Sequence, residues 1–299
     1  AMQYTVDKIN KGGLLPLPLE LVLGSVNNVA ASNSTVELVM DSMLKKHDDL
    51  SAIVSDWSTT SENLLFYVNT EKDKALSNYM HCSGASTDVY INSASSQVSG
   101  EELYRDGSSS FYQAAGIYEM QAKYLINSIF DDSKIAVLYA DNRFSTRLME
   151  MIESGLANKN IDFVYKSSFP ADLLRMVDVE SKIDKIIELN SNKSVDYLLI
   201  FSYPGAYSLI IKMLTEKAEP FEGKVFLWDS AISDFFFSSL NGKFAKWMSN
   251  SNNSIVSIAP DLISSDSYTQ WIEEMYDSSN QSLAYRFSSP YSVSVVDCI

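Results

Sequence analysis

The sequence predicts an α/β protein with two lobes, each built on a mainly parallel sheet with helices on both faces. In the middle third, from Lys134 to Asp229, apolar strand patterns alternate with helical patterns. The first third repeats this alternation, and the Gly/Ser-rich stretch Gly107–Ser110 joins the two series. Parallel strands need crossover connections, which helices supply on both faces of a sheet. Two similar series joined by a link of small residues favour two lobes over one continuous sheet.

Strand and helix patterns follow one another at short intervals in the middle third. Strands are predicted at residues 134–139, 161–169, 195–201 and 224–228, and helices at 144–159, 179–190 and 207–216. The strands are short apolar runs, whereas the helices carry apolar residues three and four positions apart. Right-handed crossovers make the strands parallel, so their carboxyl ends should lie at one edge of the sheet.

The two ends of the chain complete the first lobe. Helices are expected at residues 2–10, 33–46, 64–68, 268–276 and after 290, and strands at 19–23, 51–55 and 88–91. The long helix expected at residues 112–130 follows the Gly/Ser-rich link and begins the second lobe. The extended segment Ile255–Pro260 is expected to return the chain to the first lobe. Lobe 1 then comprises residues 1–108 and 259–299, and lobe 2 comprises residues 109–258.

The composition is that of a globular protein with an acidic surface. Apolar residues make up 46% of the chain and charged residues 20%, and the formal net charge is −15. This charge disfavours nucleic acid as a partner, because phosphates repel an acidic surface. No apolar run approaches the roughly 18 residues that span a membrane. The chain starts and ends within apolar patterns, so we expect trimming at one or both ends, and the lack of a leader leaves export open.

Histidine and cysteine are too scarce and too scattered to predict a catalytic or metal site. The chain contains only His47, His81, Cys82 and Cys298. No CxxC or Cys/His cluster is present, so no metal site is predicted. Neighbours on a strand point to opposite faces, which makes His81 and Cys82 a poor base and nucleophile. No phosphate-binding glycine loop occurs either. We therefore predict no cofactor and no enzyme activity, and we leave the pairing of the two cysteines open.

Hydroxyl-bearing residues follow two successive strands of the first lobe. Ser58, Thr59 and Thr60 stand where a helix begins, and Ala94, Ser95 and Ser96 follow the strand at 88–91. Parallel sheets bind ligands outside the carboxyl ends of their strands. A helix N-terminus with free N–H groups and nearby hydroxyls suits a carboxylate or another anion. Helix capping is the alternative role for each cluster, but their coincidence at two strand ends favours a shared ligand site.

In the second lobe, aromatic and acidic side chains stand near the predicted strand ends. The aromatic residues that could wall a pocket are Phe144, Tyr203, Tyr207 and Trp228. Asp229 directly follows an apolar strand, where its carboxylate could pair with a ligand ammonium group. The alternatives are core packing for the aromatic rings and a solvated loop position for the aspartate.

Several of these segments resemble the type I periplasmic binding proteins, specifically the Leu/Ile/Val-binding branch and its receptor-domain relatives. The segments are "AMQYTVDKINKGG", "AIVSDWSTTS", "KIAVLYADNRFSTRLMEMIESGL" and "FLWDSA", in the order the family has them. The resemblance covers nearly the whole chain and implies two lobes that close on a small polar ligand. Ser145 stands where the family usually has glycine.

The resemblance also assigns ligand contacts to individual positions. The family's turn serine falls on Ser58, and its second cluster of contacts falls on Ala94 with Ser95 or Ser96. In the second lobe the aromatic contact falls on Phe144, the tyrosine on Tyr207 with Tyr203 as its rival, and the acid on Asp229 with Asp234 as its alternative.

The predicted function is therefore that of an extracytoplasmic solute-binding protein for ABC-type uptake. Its expected partners are a small polar ligand, above all an amino acid, and a membrane permease. The alternative is the ligand-binding sensor domain of a membrane receptor, and an α/β enzyme is the least favoured reading. The expected location is periplasmic or extracellular, with a lipid or membrane anchor in the full-length protein left open.

Overall fold

The computed structural model describes most of the middle of the chain and parts of its first third. The described residues are 2–13, 15–25, 33–48, 50–55, 58–70, 80–83, 97–98, 101–102, 111–113, 118–170, 176–202, 204–228, 231, 236 and 239–258. The chain divides into two compact units, one of residues 1–118 with 261–299 and the other of residues 119–260. The lobe boundaries expected at residues 108 and 258 stay a prediction.

Unit 1 contains a small parallel sheet with helices beside it. Its elements are α1 (Met2–Gly12), α2 (Asn33–Lys46), β1 (Ala52–Ser55), α3 (Ser58–Thr70), β2 (Met80–Ser83), β3 (Gln97–Val98), β4 (Glu101–Glu102) and β5 (Phe111–Gln113). The sheet has the order β1-β2-β5 with parallel neighbours, and β3 and β4 form a separate antiparallel pair. Helices α2 and α3 pack together through a core that includes Met40, Leu64 and Tyr67.

Two predictions for residues 1–130 were wrong. The segment 19–23 is not a strand; the side-chain amide of Asn10 donates to the Leu19 carbonyl and accepts from the Leu19 N–H, at 2.8 and 2.7 Å. This side chain satisfies the backbone groups that a neighbouring strand would otherwise bind. The helix predicted from Tyr112 begins only at Tyr118, because Tyr112 pairs with Cys82 in the ladder between β5 and β2. The strand predicted at 88–91 lies outside the described residues.

Unit 2 contains a five-stranded parallel sheet covered by helices. Its elements are α4 (Tyr118–Ser128), β6 (Ile135–Asp141), α5 (Arg143–Ala157), β7 (Phe163–Pro170), α6 (Met176–Ser191), β8 (Tyr197–Phe201), α7 (Pro204–Glu216), β9 (Lys224–Trp228), α8 (Gly242–Met248) and β10 (Ser254–Ile258). The strand order is β10-β9-β8-β6-β7. Strands β6 and β8 are almost entirely buried, as expected for central strands covered on both faces. The alternation predicted for the middle third is confirmed.

The segment Ile255–Pro260 was predicted to return the chain to the first lobe. Its residues 255–258 belong to β10, the last described strand of unit 2. β10 runs parallel to β9, with Ile255 opposite Val225 and Ile258 opposite Trp228. The extended conformation predicted from Ile255 onward is therefore correct, and the structure adds that these residues form an edge of the sheet. β10 begins directly after a turn that the Asn253 side chain stabilises. The Asn253 amide donates to the Trp247 carbonyl at 2.9 Å and accepts from the Gly223 N–H at 3.0 Å.

Gly223, which precedes β9, has a backbone conformation that other residues rarely adopt. Its φ is +143°, and a Cβ atom placed on it would lie 3.0 Å from the carbonyl oxygen of Asp196. We expect Gly223→Ala to lower the free energy of unfolding by more than about 1 kcal/mol, because the native conformation is incompatible with a side chain. Urea denaturation followed by far-UV circular dichroism measures this change.

Gly242 provides the matched control. It is the first residue of α8, its φ is not positive, and nothing lies within 4 Å of an added Cβ. Gly242→Ala should leave stability unchanged or raise it, since alanine has the higher helix propensity. Equal stability of the two variants would contradict the assignment of strain to Gly223.

Candidate functional site

The candidate ligand residues of each unit are sought at the carboxyl ends of its parallel strands. In unit 1, Ser55 ends β1, Ser83 ends β2 and α3 begins at Ser58. In unit 2, β8 ends at Phe201 and β9 at Trp228. Ligands of open α/β sheets bind outside these strand ends.

A cluster of three serines and one histidine, the Ser–His cluster, lies at this edge of unit 1. It comprises Ser55, Ser61, His81 and Ser83, all of which are buried. The Ser55 hydroxyl lies 2.7 Å from Nε2 of His81 and 2.8 Å from the Ser61 hydroxyl, and Ser61 donates to Ser83 at 3.0 Å. The cluster therefore ties the first turns of α3 to the ends of β1 and β2.

The hydrogen atoms of the Ser–His cluster can be assigned from these bonds. A serine hydroxyl has one proton, and that of Ser61 is donated to Ser83. Ser61 must then accept from Ser55, and Ser55 must accept from His81. His81 is thereby assigned as the tautomer with its proton on Nε2, and the chain of donors runs in one direction from His81 to Ser83.

This arrangement does not fit nucleophilic catalysis. A base that activates a serine must accept the serine proton, whereas Ser55 gives its proton to Ser61 and receives one from His81. Burial lowers the pKa of His81 to about 4, so the ring is neutral at ordinary pH. The neighbouring Cys82 is disulfide-bonded and has no free thiol. The absence of a catalytic role for His81 and Cys82 stays a prediction, with which these contacts agree.

The predicted serine and threonine residues of unit 1 lie partly within the described structure. Ser58 and Thr59 are the first two residues of α3, and their side chains are outside the described part. Thr60, the third residue, is buried, and its hydroxyl has no hydrogen-bond partner among the described residues. Ala94, Ser95 and Ser96 lie outside the described residues.

In unit 2, the structure places two of the predicted residues at the same kind of edge. Phe144 is half-buried in the first turn of α5, which the Asn142 side chain caps by accepting the Ser145 N–H at 2.8 Å. Tyr207 is fully buried, and its hydroxyl accepts the Ser202 N–H at 2.9 Å. Tyr207 therefore anchors the end of β8 to α7. Tyr203, Asp229 and Asp234 lie outside the described residues.

Trp228 lies buried at the end of β9. Its ring meets that of Phe201 edge-on, with 5.9 Å between the centroids, a favourable geometry for aromatic pairs. The indole N–H of Trp228 and the hydroxyl of Ser145 are both buried, and neither has a hydrogen-bond partner within the described part of the chain. Trp228 is thus a core residue whose indole nitrogen has no hydrogen-bond partner among the described residues.

Sequence reasoning missed the Ser–His cluster. The only available signal was that Ser55 ends an apolar strand pattern, because the sequence predicted no strand at residues 80–83, where His81 and Ser83 lie. Their contact is between residues 26 positions apart, Ser55 and His81, and no local pattern predicts such a pair. In the residues that the structure describes, no group of three or more His, Cys, Asp or Glu side chains could hold a metal ion.

A groove of about 900 Å³ lies at the opposite edge of the unit 2 sheet. Its lining includes Phe130, Asp196, Glu222 and Lys224, near the amino ends of β6, β8 and β9. The Asn190 side chain holds one wall, because it donates to the Glu222 carbonyl at 2.7 Å and accepts the Glu222 N–H at 2.8 Å. The groove is at the edge that open α/β sheets do not use for ligands.

No family model matches the sequence, and no curated protein is significantly similar to it. Solved structures do resemble the fold. An extracellular ligand-binding receptor from Verminephrobacter eiseniae matches with a TM-score of 0.67 at 13% identity, over 98% of this chain and 75% of that one. A branched-chain amino acid ABC transporter protein from Thermus thermophilus, with bound valine, has a TM-score of 0.67 at 9% identity, over 98% and 69%. A solute-binding protein from Rhodopseudomonas palustris, in complex with 3,4-dihydroxybenzoic acid, has a TM-score of 0.62 at 11% identity, over 99% and 73%.

These likenesses establish the fold. The chain has the α/β fold of the type I periplasmic binding proteins, and the resemblance seen in the sequence is confirmed at that level. Two of these similar structures, those from Thermus thermophilus and Rhodopseudomonas palustris, are described as proteins of ABC transporters. Within the described residues, no helix has the length and apolar character needed to span a membrane.

Proposed function

We propose that this protein is an extracytoplasmic solute-binding protein. It binds a small carboxylate, above all an amino acid, and delivers it to an ABC-type permease. The observation that carries the proposal is the start of α3, a helix N-terminus with three successive hydroxyl residues at the carboxyl edge of a parallel sheet. The positive end of the helix dipole and its free N–H groups favour a bound carboxylate. No positive charge is present in the Ser–His cluster beneath it, because His81 is neutral.

Two further facts support this proposal. Valine and 3,4-dihydroxybenzoic acid, the molecules bound in two structures of the same fold, each carry a carboxyl group. The disulfide at Cys82 fits an extracytoplasmic location, since disulfides persist in oxidising compartments.

The proposed contacts are those that the sequence predicted. Ser58 and Thr59, with Ala94, Ser95 and Ser96, hold the carboxylate. Phe144, Tyr203 and Tyr207 provide aromatic contacts, and Asp229 pairs with the ammonium group when the ligand is an amino acid.

The test is a thermal-shift screen with matched pairs of compounds. L-valine is compared with isobutylamine, which lacks only the carboxylate, and 3,4-dihydroxybenzoate is compared with catechol on the same basis. A ligand at 100 times its Kd stabilises the folded protein by about 2.7 kcal/mol. We expect a shift from an acid and none from its partner. The panel also includes the other amino acids. If none of these carboxylates changes the melting temperature, the proposal is wrong.

Ser58→Ala tests the assigned contact. Removing one neutral donor to a carboxylate should cost about 1–2 kcal/mol of binding free energy, or roughly 5- to 30-fold in Kd, because backbone N–H groups and water replace part of the bond. Isothermal titration with the acid found in the screen measures the loss. Ser181→Ala is the control, since this exposed hydroxyl on α6 donates to the Asp178 carbonyl. Unchanged affinity in Ser58→Ala would remove Ser58 from the site.

A further inference from the structure

We propose that the hydroxyl of Thr60 contacts the bound carboxylate and that the Ser–His cluster positions it. This inference rests on the proposed function. It selects Thr60 from the hydroxyl run that the sequence placed at the start of α3, and it adds the Ser–His cluster, which the sequence did not predict. It identifies one binding residue, Thr60, and a set of positioning residues, Ser55, Ser61, His81 and Ser83.

The first step concerns the unused hydroxyl. Thr60 is only 7% exposed, and its Oγ1 has no hydrogen-bond partner among the described residues. Folded proteins rarely leave a buried polar atom unpaired, and such an atom calls for an ordered water molecule or a ligand. The hydroxyls of Ser55 and Ser61, by contrast, have their protons committed within the cluster.

The second step explains why the helix itself does not satisfy this hydroxyl. A helical threonine usually donates to the carbonyl four residues before it. Thr215, which is 6% exposed, does so by donating to the Ile211 carbonyl at 2.9 Å. Thr60 is the third residue of α3, so the positions three and four residues before it precede the helix. Its location in the first turn leaves the hydroxyl for another partner.

The third step concerns position. Ser61 follows Thr60, and its hydroxyl is bonded to Ser55 and Ser83, the last residues of β1 and β2. These bonds fix the rotation of the first turns of α3 relative to the sheet edge. Successive residues on an α-helix point about 100° apart. Fixing Ser61 against the strand ends therefore also fixes the direction of the Thr60 side chain.

The fourth step concerns the chemistry of the ligand. The first turn of α3 offers N–H donors and a partial positive charge, and Thr60 adds a hydroxyl that can donate. All four members of the Ser–His cluster are uncharged, so they neither attract nor neutralise an anion. A carboxylate oxygen is the acceptor that suits this set of donors.

The experiment compares two threonines of nearly equal burial, 7% exposed for Thr60 and 6% for Thr215. Thr60→Val and Thr215→Val each exchange a hydroxyl for a methyl group of similar shape. In the ligand-free protein, Thr215→Val should lower the melting temperature because it removes a bond, whereas Thr60→Val should leave it unchanged or raise it. With the carboxylate found in the screen of L-valine, 3,4-dihydroxybenzoate and the other amino acids, Thr60→Val should weaken binding roughly 5- to 30-fold. Thr60→Ser should restore the affinity, and Thr215→Val should keep it.

The positioning role is tested by a double-mutant cycle. Ser61→Ala should weaken binding, and the losses in Ser61→Ala and Thr60→Val should not add in the double variant, because both act on one contact. Ser83→Ala takes the place of Ser61→Ala if the latter does not fold. Additive losses overturn the positioning role.

The outcomes separate the inference from the proposed function. If Thr60→Val melts as low as Thr215→Val, or binds the carboxylate as well as the wild type does, the role of Thr60 is wrong while the proposed function stands. If the wild-type protein binds no carboxylate in the panel, both are wrong.

Discussion

Reduction of the disulfide at Cys82 is expected to lower the free energy of unfolding by about 2–5 kcal/mol. Cys82 is disulfide-bonded and lies buried in β2, the middle strand of the unit 1 sheet. The chain has one other cysteine, Cys298, so an intrachain bridge can form only with that residue. The two positions are roughly 200 residues apart, and the entropy that a cross-link removes from the unfolded chain grows with the logarithm of that separation.

The measurement is urea denaturation with and without a reductant. Cys298→Ser should reproduce the effect of reduction, and reductant should then have no further effect on that variant. Thiol labelling of the denatured, unreduced wild-type protein should find no free cysteine. A labelled thiol in that sample, or a Cys298→Ser variant as stable as the wild type, would show that the bridge is absent or does not stabilise the fold.

Acidification between pH 6.5 and pH 4 is expected to cost about 3 kcal/mol of stability through His81 alone. Burial lowers the pKa of His81 from 6.5 to about 4 in the folded protein. As the pH falls below 6.5, the unfolded chain binds a proton at this position and the folded protein does not, so unfolding becomes more favourable. The contribution is fully present above pH 6.5, declines through this window, and falls no further below pH 4.

The effect is isolated by comparing variants, since the 38 acidic residues also titrate as the pH approaches 4. The free energy of unfolding is measured from pH 4 to pH 8 for the wild type and for His81→Gln. His81→Gln should show a flatter dependence because glutamine can still donate to Ser55 but takes up no proton. Parallel curves for wild type and His81→Gln would be evidence against a neutral, buried His81.

The sequence predicted the second sheet well because its strands are buried on both faces. β8, for example, is an apolar run in which all five residues are buried. Such a run is typical of a central strand that is covered on both faces. The segment 19–23 has a similar composition but is not part of a ladder, since Asn10 binds the backbone of Leu19. Composition alone does not distinguish a strand in a ladder from a segment whose backbone is bonded by a side chain.

The candidate site was predictable only where it is local in sequence. The run Ser58–Thr60 could be recognised at a helix start, since capping and anion binding depend on adjacent residues. The Ser–His cluster could not be, because it joins Ser55, Ser61 and His81 through the arrangement of β1, α3 and β2. That arrangement also determines which hydroxyl of the run Ser58–Thr60 remains available to a ligand.

The division of the chain also bears on the order of events during synthesis. Unit 2 is one continuous stretch, residues 119–260, whereas unit 1 needs residues from both sides of it. On the ribosome, every residue of unit 2 has been made before the last segment of unit 1 is translated. Domains generally fold as units while the chain grows. Unit 2 can therefore fold first on the ribosome. Unit 1 can be completed only after residues 261–299 have been synthesised.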